Sequence, residues 1–155
     1  MSETRCGFVA MLGAPNAGKS TLVNALVGAK VAIVSPNPQT TRSRVAALAT
    51  DATTQVIYVD LPGVFAPKRR LDRAMVDAAW RGVADADLTL LVVDAASPGE
   101  GADAVREELA RRGHKAVLVL NKVDLVERSK LLGLAKAYNE SFAFSATFMV
   151  SALTG

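Results

Sequence analysis

The amino-acid sequence predicts an α/β fold in which helices cover both faces of a mostly parallel β-sheet. Short apolar runs of strand length recur along the chain and alternate with segments of helical periodicity. One pair of runs is joined by a connection that is too short for parallel neighbours. A glycine-rich loop lies between the first apolar run and the first helical segment. These observations predict a three-layer sandwich with one antiparallel edge strand.

The apolar runs predict a sheet of six strands. They lie at residues 8–12, 44–50, 54–59, 88–93, 117–120 and 147–150. Only Asp51, Ala52 and Thr53 separate the second run from the third, so these two strands must be antiparallel neighbours. The other strands alternate with helical segments, which favours parallel pairing with both faces of the sheet covered.

Helical periodicity and glycine stops predict four helices. The first runs from Lys19 to Val27 and ends at Gly28, because glycine is the usual residue just beyond a helix. The other predicted helices lie at about 71–82, 102–112 and 129–142. Four aromatic side chains are expected to pack in the core, namely Trp80, Phe142, Phe144 and Phe148.

Length and composition indicate one domain that is not built on disulfides. A chain of 155 residues has the size of one ordinary domain. Cys6 is the single cysteine, which excludes an intrachain disulfide, and we expect it to be a buried thiol. The sequence has no long uncharged apolar run, and its N-terminus lacks the long apolar stretch that a signal peptide needs, so we expect a cytoplasmic chain. The net charge of +3 is too small to indicate nucleic-acid binding by itself.

The glycine-rich loop between the first strand and the first helix is typical of P-loop NTPases. Its residues are Gly13, Ala14, Pro15, Asn16, Ala17, Gly18, Lys19 and Ser20. Backbone N–H groups turn inward around phosphate oxygens where no Cβ interferes, and the following helix adds the positive end of its dipole. We expect Lys19 to reach the β and γ phosphates, Ser20 to hold Mg²⁺, and the adjacent Thr21 to belong to the site. The loop therefore predicts nucleoside-triphosphate binding.

A second motif, Asp60-Leu61-Pro62-Gly63, follows the third predicted strand. Asp60 can hold a magnesium-bound water, and the N–H of Gly63 can bond the γ phosphate and sense its loss. The tetrapeptide alone carries little information. Its position at the carboxyl end of a strand, where open α/β sheets bind ligands, places it in the same predicted nucleotide site.

A third motif, Asn121-Lys122-Val123-Asp124, follows the fifth predicted strand and points to guanine. The Asp124 carboxylate can accept the N1 and N2 protons that guanine has and adenine lacks. If Asp124 is buried, binding adenine leaves it unpaired, and discrimination can reach roughly 10⁴. We expect Asn121 to tie this loop to the phosphate loop and the Lys122 stem to lie over the base. The alternative is a simple helix cap, because Asn and Asp are ordinary turn residues.

A fourth motif, Ser151-Ala152-Leu153-Thr154-Gly155, follows the last predicted strand. It lies where the backbone N–H of Ala152 can reach guanine O6. All four motifs follow predicted strands, so we expect them to line one pocket at the carboxyl edge of the sheet. The sequence therefore predicts a binding site for GTP or GDP with Mg²⁺.

With the stretch Pro38-Gln39-Thr40-Thr41-Arg42, these motifs resemble the Era family of small GTPases, of the translation-factor class. The resemblance covers the whole chain and includes the phosphate loop, the first switch and the three later motifs. Leu61 departs from the family pattern, in which Thr is usual at that position. Relatives implicated in tRNA modification, and relatives built from two tandem GTPase domains, differ in the first switch and remain alternatives.

The resemblance implies a switch that hydrolyses GTP. The implied catalytic residues are Lys19, Asn16, Thr41 and Gly63. Thr41 is the expected magnesium ligand beside Ser20 and the water held by Asp60, and the adjacent Thr40 is the alternative. Val64 follows Gly63 where signalling GTPases place a water-orienting glutamine, so we expect slow intrinsic hydrolysis. Backbone groups, a partner, or K⁺ bound through the Asn16 side chain would then align the water.

The resemblance also implies partners beyond this domain, which spans residues 1–155. Era proteins add a C-terminal RNA-binding module of the K-homology (KH) type, engage small-subunit ribosomal RNA during ribosome assembly, and associate peripherally with the inner membrane. Because the sequence stops at Gly155, before the last helix of such domains, we expect a fragment with an uncovered apolar strip on the sheet. We also expect a monomer.

Two other function classes remain open. One is a nucleotide-gated binding module in which hydrolysis is incidental, and detectable turnover distinguishes it from a GTPase. The other is an ATP-using P-loop enzyme, which the motif at residues 121–124 disfavours.

Overall fold

The computed structural model describes residues 3–13, 17–28, 45–51, 53–60, 77, 80–81, 83–98 and 100–154. The strands are β1 (Arg5–Leu12), β2 (Val45–Asp51), β3 (Thr54–Asp60), β4 (Leu88–Asp94), β5 (Val117–Asn121) and β6 (Thr147–Met149). The helices are α1 (Lys19–Val27), α2 (Glu100–Arg112) and α3 (Arg128–Ser141), with a 3₁₀ turn at Val123–Leu125. Residues 77, 80–81 and 83–85 are also helical.

The six strands form one sheet in the order β2-β3-β1-β4-β5-β6. Strands β2 and β3 are antiparallel, and all other neighbours are parallel. The predicted mostly parallel sheet with one antiparallel edge strand is therefore confirmed. Its register pairs Met11 with Asp60 and Asp94 with Asn121. The ends of β1, β3, β4 and β5 thus meet at one edge, which is where the predicted motifs begin.

Helices lie on both faces of the sheet, as a three-layer sandwich requires. On one face, α1 packs Leu22 and Val23 against side chains of β1, β4 and β5. The opposite face packs against α2, α3 and the helical residues around Trp80. Its buried helical side chains are Trp80, Val83, Val105, Leu109, Leu131 and Tyr138. Trp80 is only 5% exposed, which confirms the prediction that it packs in the core.

The predicted bounds of α1, α2 and α3 agree with the structure to within two residues. Of the helix predicted at about 71–82, the structure describes residues 77 and 80–81, which are helical, and the helical residues 83–85 lie beyond the predicted end. Helix α1 starts after Gly18 and ends before Gly28, which has a φ of 78° and donates its N–H to the Asn24 carbonyl. This is the αL ending that glycine allows without strain. No helix in the part of the chain that the structure describes combines the length and the apolar character needed to cross a bilayer.

Two side chains that were expected to be buried are exposed. Phe142 and Phe144 pack against the core with ring centroids 4.7 Å apart, but Phe148 is 55% exposed. Phe148 lies on edge strand β6, and its register partner Val119 places it on the face of the sheet on which α1 packs. Cys6 is also exposed. It lies in the first half of β1, which pairs with β3 but extends beyond the end of β4.

Phe148 is accompanied on the α1 face by Leu88, which is 43% exposed. Both side chains are large and apolar, and both lie on the half of the face that is remote from β2 and β3. The uncovered apolar strip expected on the sheet stays a prediction.

Candidate nucleotide-binding site

The phosphate loop comprises residues 13–20, of which the structure describes 13 and 17–20. Two of these described positions require glycine. Gly18 has a φ of 95°, a conformation that residues with a Cβ rarely adopt. A Cβ on Gly18 would overlap Nδ2 of Asn121, and a Cβ on Gly13 would overlap the backbone carbonyl of Val92. The loop therefore packs directly on β4 and on the end of β5, with no room for side chains at these two points.

Lys19 begins α1 and is buried, with 7% of its surface exposed. Its Nζ atom lies 3.4 Å from the carbonyl oxygen of Gly13, so the amino group folds back over the loop. Ser20 and Thr21 follow in the first turn of α1, where the positive end of the helix dipole faces the loop. The arrangement concentrates positive charge where a polyanion would bind.

Asn121 joins three loops and is only 2% exposed. Its Nδ2 donates to the carbonyl of Ala17 in the phosphate loop at 3.0 Å. Its Oδ1 accepts the backbone N–H of Ala152, also at 3.0 Å. One side chain thus connects the phosphate loop to the base loop (residues 121–124) and to the closing loop (residues 151–154).

The bond from Ala152 bears on the expected contact with guanine O6. The N–H predicted to reach O6 donates to Oδ1 of Asn121 in this structure. A base could accept this proton only if the bond to Asn121 were shared or replaced. The sequence motif correctly locates Ala152 beside the base loop, but its partner depends on the packing of Asn121.

Asp124 is held by a chain of hydroxyl groups. Ser151 donates its Oγ hydrogen to Oδ1 of Asp124 at 2.7 Å. Thr154 in turn donates both its hydroxyl, at 2.7 Å, and its backbone N–H, at 3.3 Å, to Ser151 Oγ. Because an ionised carboxylate only accepts hydrogen bonds, this direction of donation orients Asp124. Thr154 belongs to the fourth motif, but the sequence analysis gave it no role of its own.

Asp124, whose burial is the condition for strong discrimination against adenine, is exposed in this structure. Its carboxylate lies on a cavity of about 250 Å³. The cavity is lined by Gly18, Thr21, Asn121, Lys122, Asp124, Leu125, Ser151, Ala152 and Leu153. All of these except Leu125 were predicted from the motifs. A bound base would itself have to cover Asp124 before an unpaired carboxylate became costly.

Asp94 was missed by the sequence analysis, although it contacts a predicted site residue. Its Oδ2 lies 2.9 Å from Nζ of Lys122. The signal that was available is its position, because Asp94 follows the apolar run of β4 at the edge where the other motifs begin. No adjacent residue forms a motif with Asp94, so the sequence alone does not link it to the base loop.

The structure describes only some of the remaining predicted residues. Asp60 is placed by its backbone as the last residue of β3, beside Met11 of β1. The hard oxygen donors of Ser20 and Asp60 suit Mg²⁺. The predicted residues that lie outside the described part of the chain are Ala14, Pro15, Asn16, Thr40, Thr41, Leu61, Pro62, Gly63, Val64 and the rest of 38–42.

Sequence comparison relates the chain to ribosome-associated GTPases. Residues 8–122 match the family described as 50S ribosome-binding GTPase. GTPase Era of Bradyrhizobium sp. strain BTAi1 is 56% identical over 155 residues, which are 99% of this chain and 50% of that protein. GTPase Era of Brucella suis biovar 1 is 54% identical over the same shares. The chain therefore spans about half the length of these relatives.

Two solved structures agree closely with this fold. Era in complex with MgGDPNP and nucleotides 1506–1542 of 16S ribosomal RNA has a TM-score of 0.91 and 31% identity, covering 99% of this chain and 53% of that one. A variant of Aquifex aeolicus Era bound to GDP and AlF4⁻ has a TM-score of 0.89 and 32% identity, covering 97% of this chain and 52% of that one. The predicted P-loop GTPase fold is confirmed.

Proposed function

The chain belongs to the Era GTPase family, and we propose that it binds GTP and hydrolyses it to GDP and phosphate. The observation that carries this proposal is the cavity at which the phosphate loop, the base loop and the closing loop meet. Asn121 links all three through its two hydrogen bonds. A base bound at Asp124 would therefore be held at a constant distance from the phosphate loop.

Guanine is the base that the donors and acceptors of this cavity favour. Asp124 offers a carboxylate, and Ser151 occupies its Oδ1. Guanine N1–H and its N2 amino group can donate to a carboxylate, whereas adenine has no donor at these positions. Selection follows because a base that covers Asp124 without donating to it leaves a desolvated charge unpaired.

Phosphate binding falls to the loop around Lys19. Its buried amino group, the N–H groups of the glycine-rich loop and the N-terminus of α1 would together neutralise the polyphosphate. We propose Ser20, Thr41 and a water on Asp60 as the ligands of Mg²⁺, with Thr40 as the alternative to Thr41. The ion, when bound, neutralises charge that develops on the β and γ phosphates.

The alignment of the attacking water is the slow part of the proposed reaction. Gly63 would bond the γ phosphate through its backbone, and the following Val64 has no polar group that could orient water. We therefore propose slow intrinsic turnover that K⁺ accelerates, with the side-chain oxygen of Asn16 helping to bind the ion. A matched Na⁺ salt is the reference for this effect.

At the level of the whole protein, we propose a GTP-dependent role in ribosome assembly. The solved Era complex with 16S ribosomal RNA supports an RNA partner for this family. The proposal assigns most of the RNA contact to a KH module outside residues 1–155, since the relatives are about twice as long as this chain. A cytoplasmic location, expected from the lack of a long apolar run, stays a prediction. A monomeric state and peripheral association with the inner membrane also stay predictions.

Binding and turnover of a fluorescent guanine nucleotide test the proposal. GTP and GDP should bind with Mg²⁺ at least about 100-fold more tightly than ATP and ADP, and phosphate should be released faster in KCl than in NaCl. Asp124→Asn should weaken GTP binding and improve xanthosine triphosphate binding, because an amide can donate to the C2 carbonyl of xanthine. Asp103→Asn, on the surface of α2, is the matched control and should change neither affinity.

Three results would count against parts of this function. Tighter binding of ATP than of GTP would overturn the guanine assignment. Phosphate release that stays undetectable in K⁺ and Mg²⁺ with the RNA fragment present would indicate a nucleotide-gated binding module instead. Equal turnover in KCl and NaCl at the same ionic strength would contradict the proposed acceleration by K⁺ and with it the proposed role of Asn16.

A further inference from the structure

Asp94 connects the turn after β4 to the base loop through both of its carboxylate oxygens. Oδ1 accepts the backbone N–H of Ala96 at 2.9 Å and that of Ser97 at 3.2 Å. Oδ2 accepts a hydrogen bond from Nζ of Lys122 at 2.9 Å. Asp94 is also the register partner of Asn121, so the carboxylate starts from a backbone position that the sheet holds in place.

The contact with Lys122 bears on the shape of the cavity. Lys122 has a φ of 64°, an unusual αL conformation for a residue with a Cβ, and its side chain lines the cavity. Its Cε atom lies 3.9 Å from the point where a Cβ on Gly18 would be. The aliphatic stem therefore runs from the base loop to the phosphate loop, and its amino group ends at Asp94.

The ion pair is partly shielded from solvent. The side chains of Lys122 and Asp94 are 33% and 20% exposed. An unanchored lysine side chain populates many rotamers, and ordering it when a ligand binds costs conformational entropy. A stem that is already extended and held at its end avoids this cost, which is the usual benefit of a pre-organised site.

We propose that Asp94 is a positioning residue for nucleotide binding, which holds the Lys122 stem as the surface on which the purine stacks. The inference rests on the proposed binding of guanine nucleotides and adds a residue to it. Asp94 acts through Lys122 and does not touch the base. Its effect should therefore depend on the presence of a purine ring and not on the donors at its edge.

The two functions of the carboxylate can be separated by substitution. Asp94→Asn keeps an oxygen that can accept the N–H groups of Ala96 and Ser97, but it removes the charge that attracts Lys122. Asp94→Ala removes both. Asp103→Asn is the matched control, because Asp103 is on the surface of α2 and its pair with Arg106 is longer, at 3.6 Å.

Competition against fluorescent GDP measures the effect in the full chain. Competitors are GDP, inosine diphosphate, which lacks the N2 amino group, and inorganic tripolyphosphate, which lacks a base, each with Mg²⁺. Asp94→Asn should lower the affinities for GDP and for inosine diphosphate equally, by about 10-fold. It should leave the affinity for tripolyphosphate within about twofold of the wild-type value. Asp103→Asn should match wild type for all three ligands.

A double-mutant cycle tests whether Asp94 acts through Lys122. In a Lys122→Met background, the additional change Asp94→Asn should alter GDP affinity by less than about twofold. An Asp94→Asn variant that binds GDP like wild type would overturn the inference and leave the proposed function intact. An equal loss of tripolyphosphate affinity would overturn the inference, because it would indicate that the whole site has loosened. Failure of the wild-type chain to bind GDP would overturn both.

Discussion

The two ends of the candidate site are built by different means. The base end is held by side chains that hydrogen-bond between loops, namely Asn121, Asp124 and Ser151, and by Thr154, which donates to Ser151 within the closing loop. The phosphate end requires residues without a Cβ at Gly13 and Gly18, because neighbouring atoms occupy the place where a Cβ would be. A polyphosphate is recognised by many converging backbone donors, whereas a base is recognised by a short pattern of donors and acceptors. Substitutions should therefore affect the two ends differently.

The largest effect is expected from Gly18→Ala. The added methyl group would overlap Nδ2 of Asn121, at a backbone φ of 95° that alanine adopts only with strain. We expect GDP affinity to fall by more than about 100-fold and the free energy of unfolding to fall by about 2 to 4 kcal/mol. Isothermal titration and urea denaturation measure the two quantities.

Gly133→Ala is the matched control for that change. Gly133 lies within α3 and has open space around its Cβ position. Alanine is the better helix former, so the chain should gain up to about 1 kcal/mol of stability with no change in GDP affinity. Gly18→Ala with affinity within about 10-fold of wild type would show that space at the phosphate end is less restricted than the structure indicates.

Asn121→Ala should have the next largest effect, because it separates the two ends of the site. The change leaves the Ala17 carbonyl and the Ala152 N–H without their present partner, which should cost about 2 to 3 kcal/mol of stability. GDP affinity should fall by more than about 30-fold, since base and phosphates would no longer be held together. Asn139→Ala, at an exposed asparagine of α3, should cost less than about 1 kcal/mol.

Ser151→Ala should have a smaller effect, confined to the base end. Asp124 loses its hydroxyl donor, so GDP affinity should fall by about 5- to 10-fold while tripolyphosphate binding stays unchanged. Thr154→Val should lower GDP affinity by about two- to threefold, because Thr154 acts on Asp124 through Ser151. In the Ser151→Ala background, Thr154→Val should have no further effect, and an additive loss would contradict the proposed order of donation.

The smallest effect is expected remote from both ends, at Glu108 of α2. Hydrogen bonds from Arg111 and then Arg112 lower the pKa of the Glu108 carboxyl to about 2. Arg112 also lies over the ring of Trp80, 4.7 Å from its centroid. Because the pKa is lower in the folded state, the stabilisation is present above pH 4.5, the ordinary value, and is lost as the pH falls toward 2.

Glu108→Gln should therefore lower stability by about 0.5 to 1 kcal/mol at pH 7, as is usual for ion pairs at a surface. The difference between wild type and variant should shrink between pH 4.5 and pH 2, and GDP affinity should not change. Urea denaturation at several pH values measures this difference. A difference that stays constant with pH would show that the charge of Glu108 does not stabilise the fold.

Much of the fold follows from local signals in the sequence. The short connection between β2 and β3 allows only antiparallel neighbours, and Gly18 and Gly28 border α1 as expected. Parallel strands that alternate with helices place their carboxyl ends at one edge, so motifs that are far apart in sequence were expected to converge. Residue types within a few positions were sufficient to predict the turn and the helix ends, and the alternation of strands and helices was sufficient to predict that the motifs converge.

Burial at the edges of the sheet could not be predicted in this way. Phe148 and Cys6 have apolar or small side chains in strands, and both were expected inside. Their exposure depends on which strand lies at the edge and on how far each neighbour extends, and neither property is visible in residue type. The same holds for Asp124, whose exposure is set by the shape of the cavity.

The sequence by itself determined the order of the elements, the positions of the four motifs and the residue types of the site, because periodicity and turn chemistry act over short distances. Only the tertiary structure decided the particular hydrogen-bond partners: the expected link from Asn121 to the phosphate loop is made to the Ala17 carbonyl, 104 residues away, and Lys122 meets Asp94, which was not expected. Such pairings depend on strand order and register, since a contact between distant residues exists only once the sheet has brought them together.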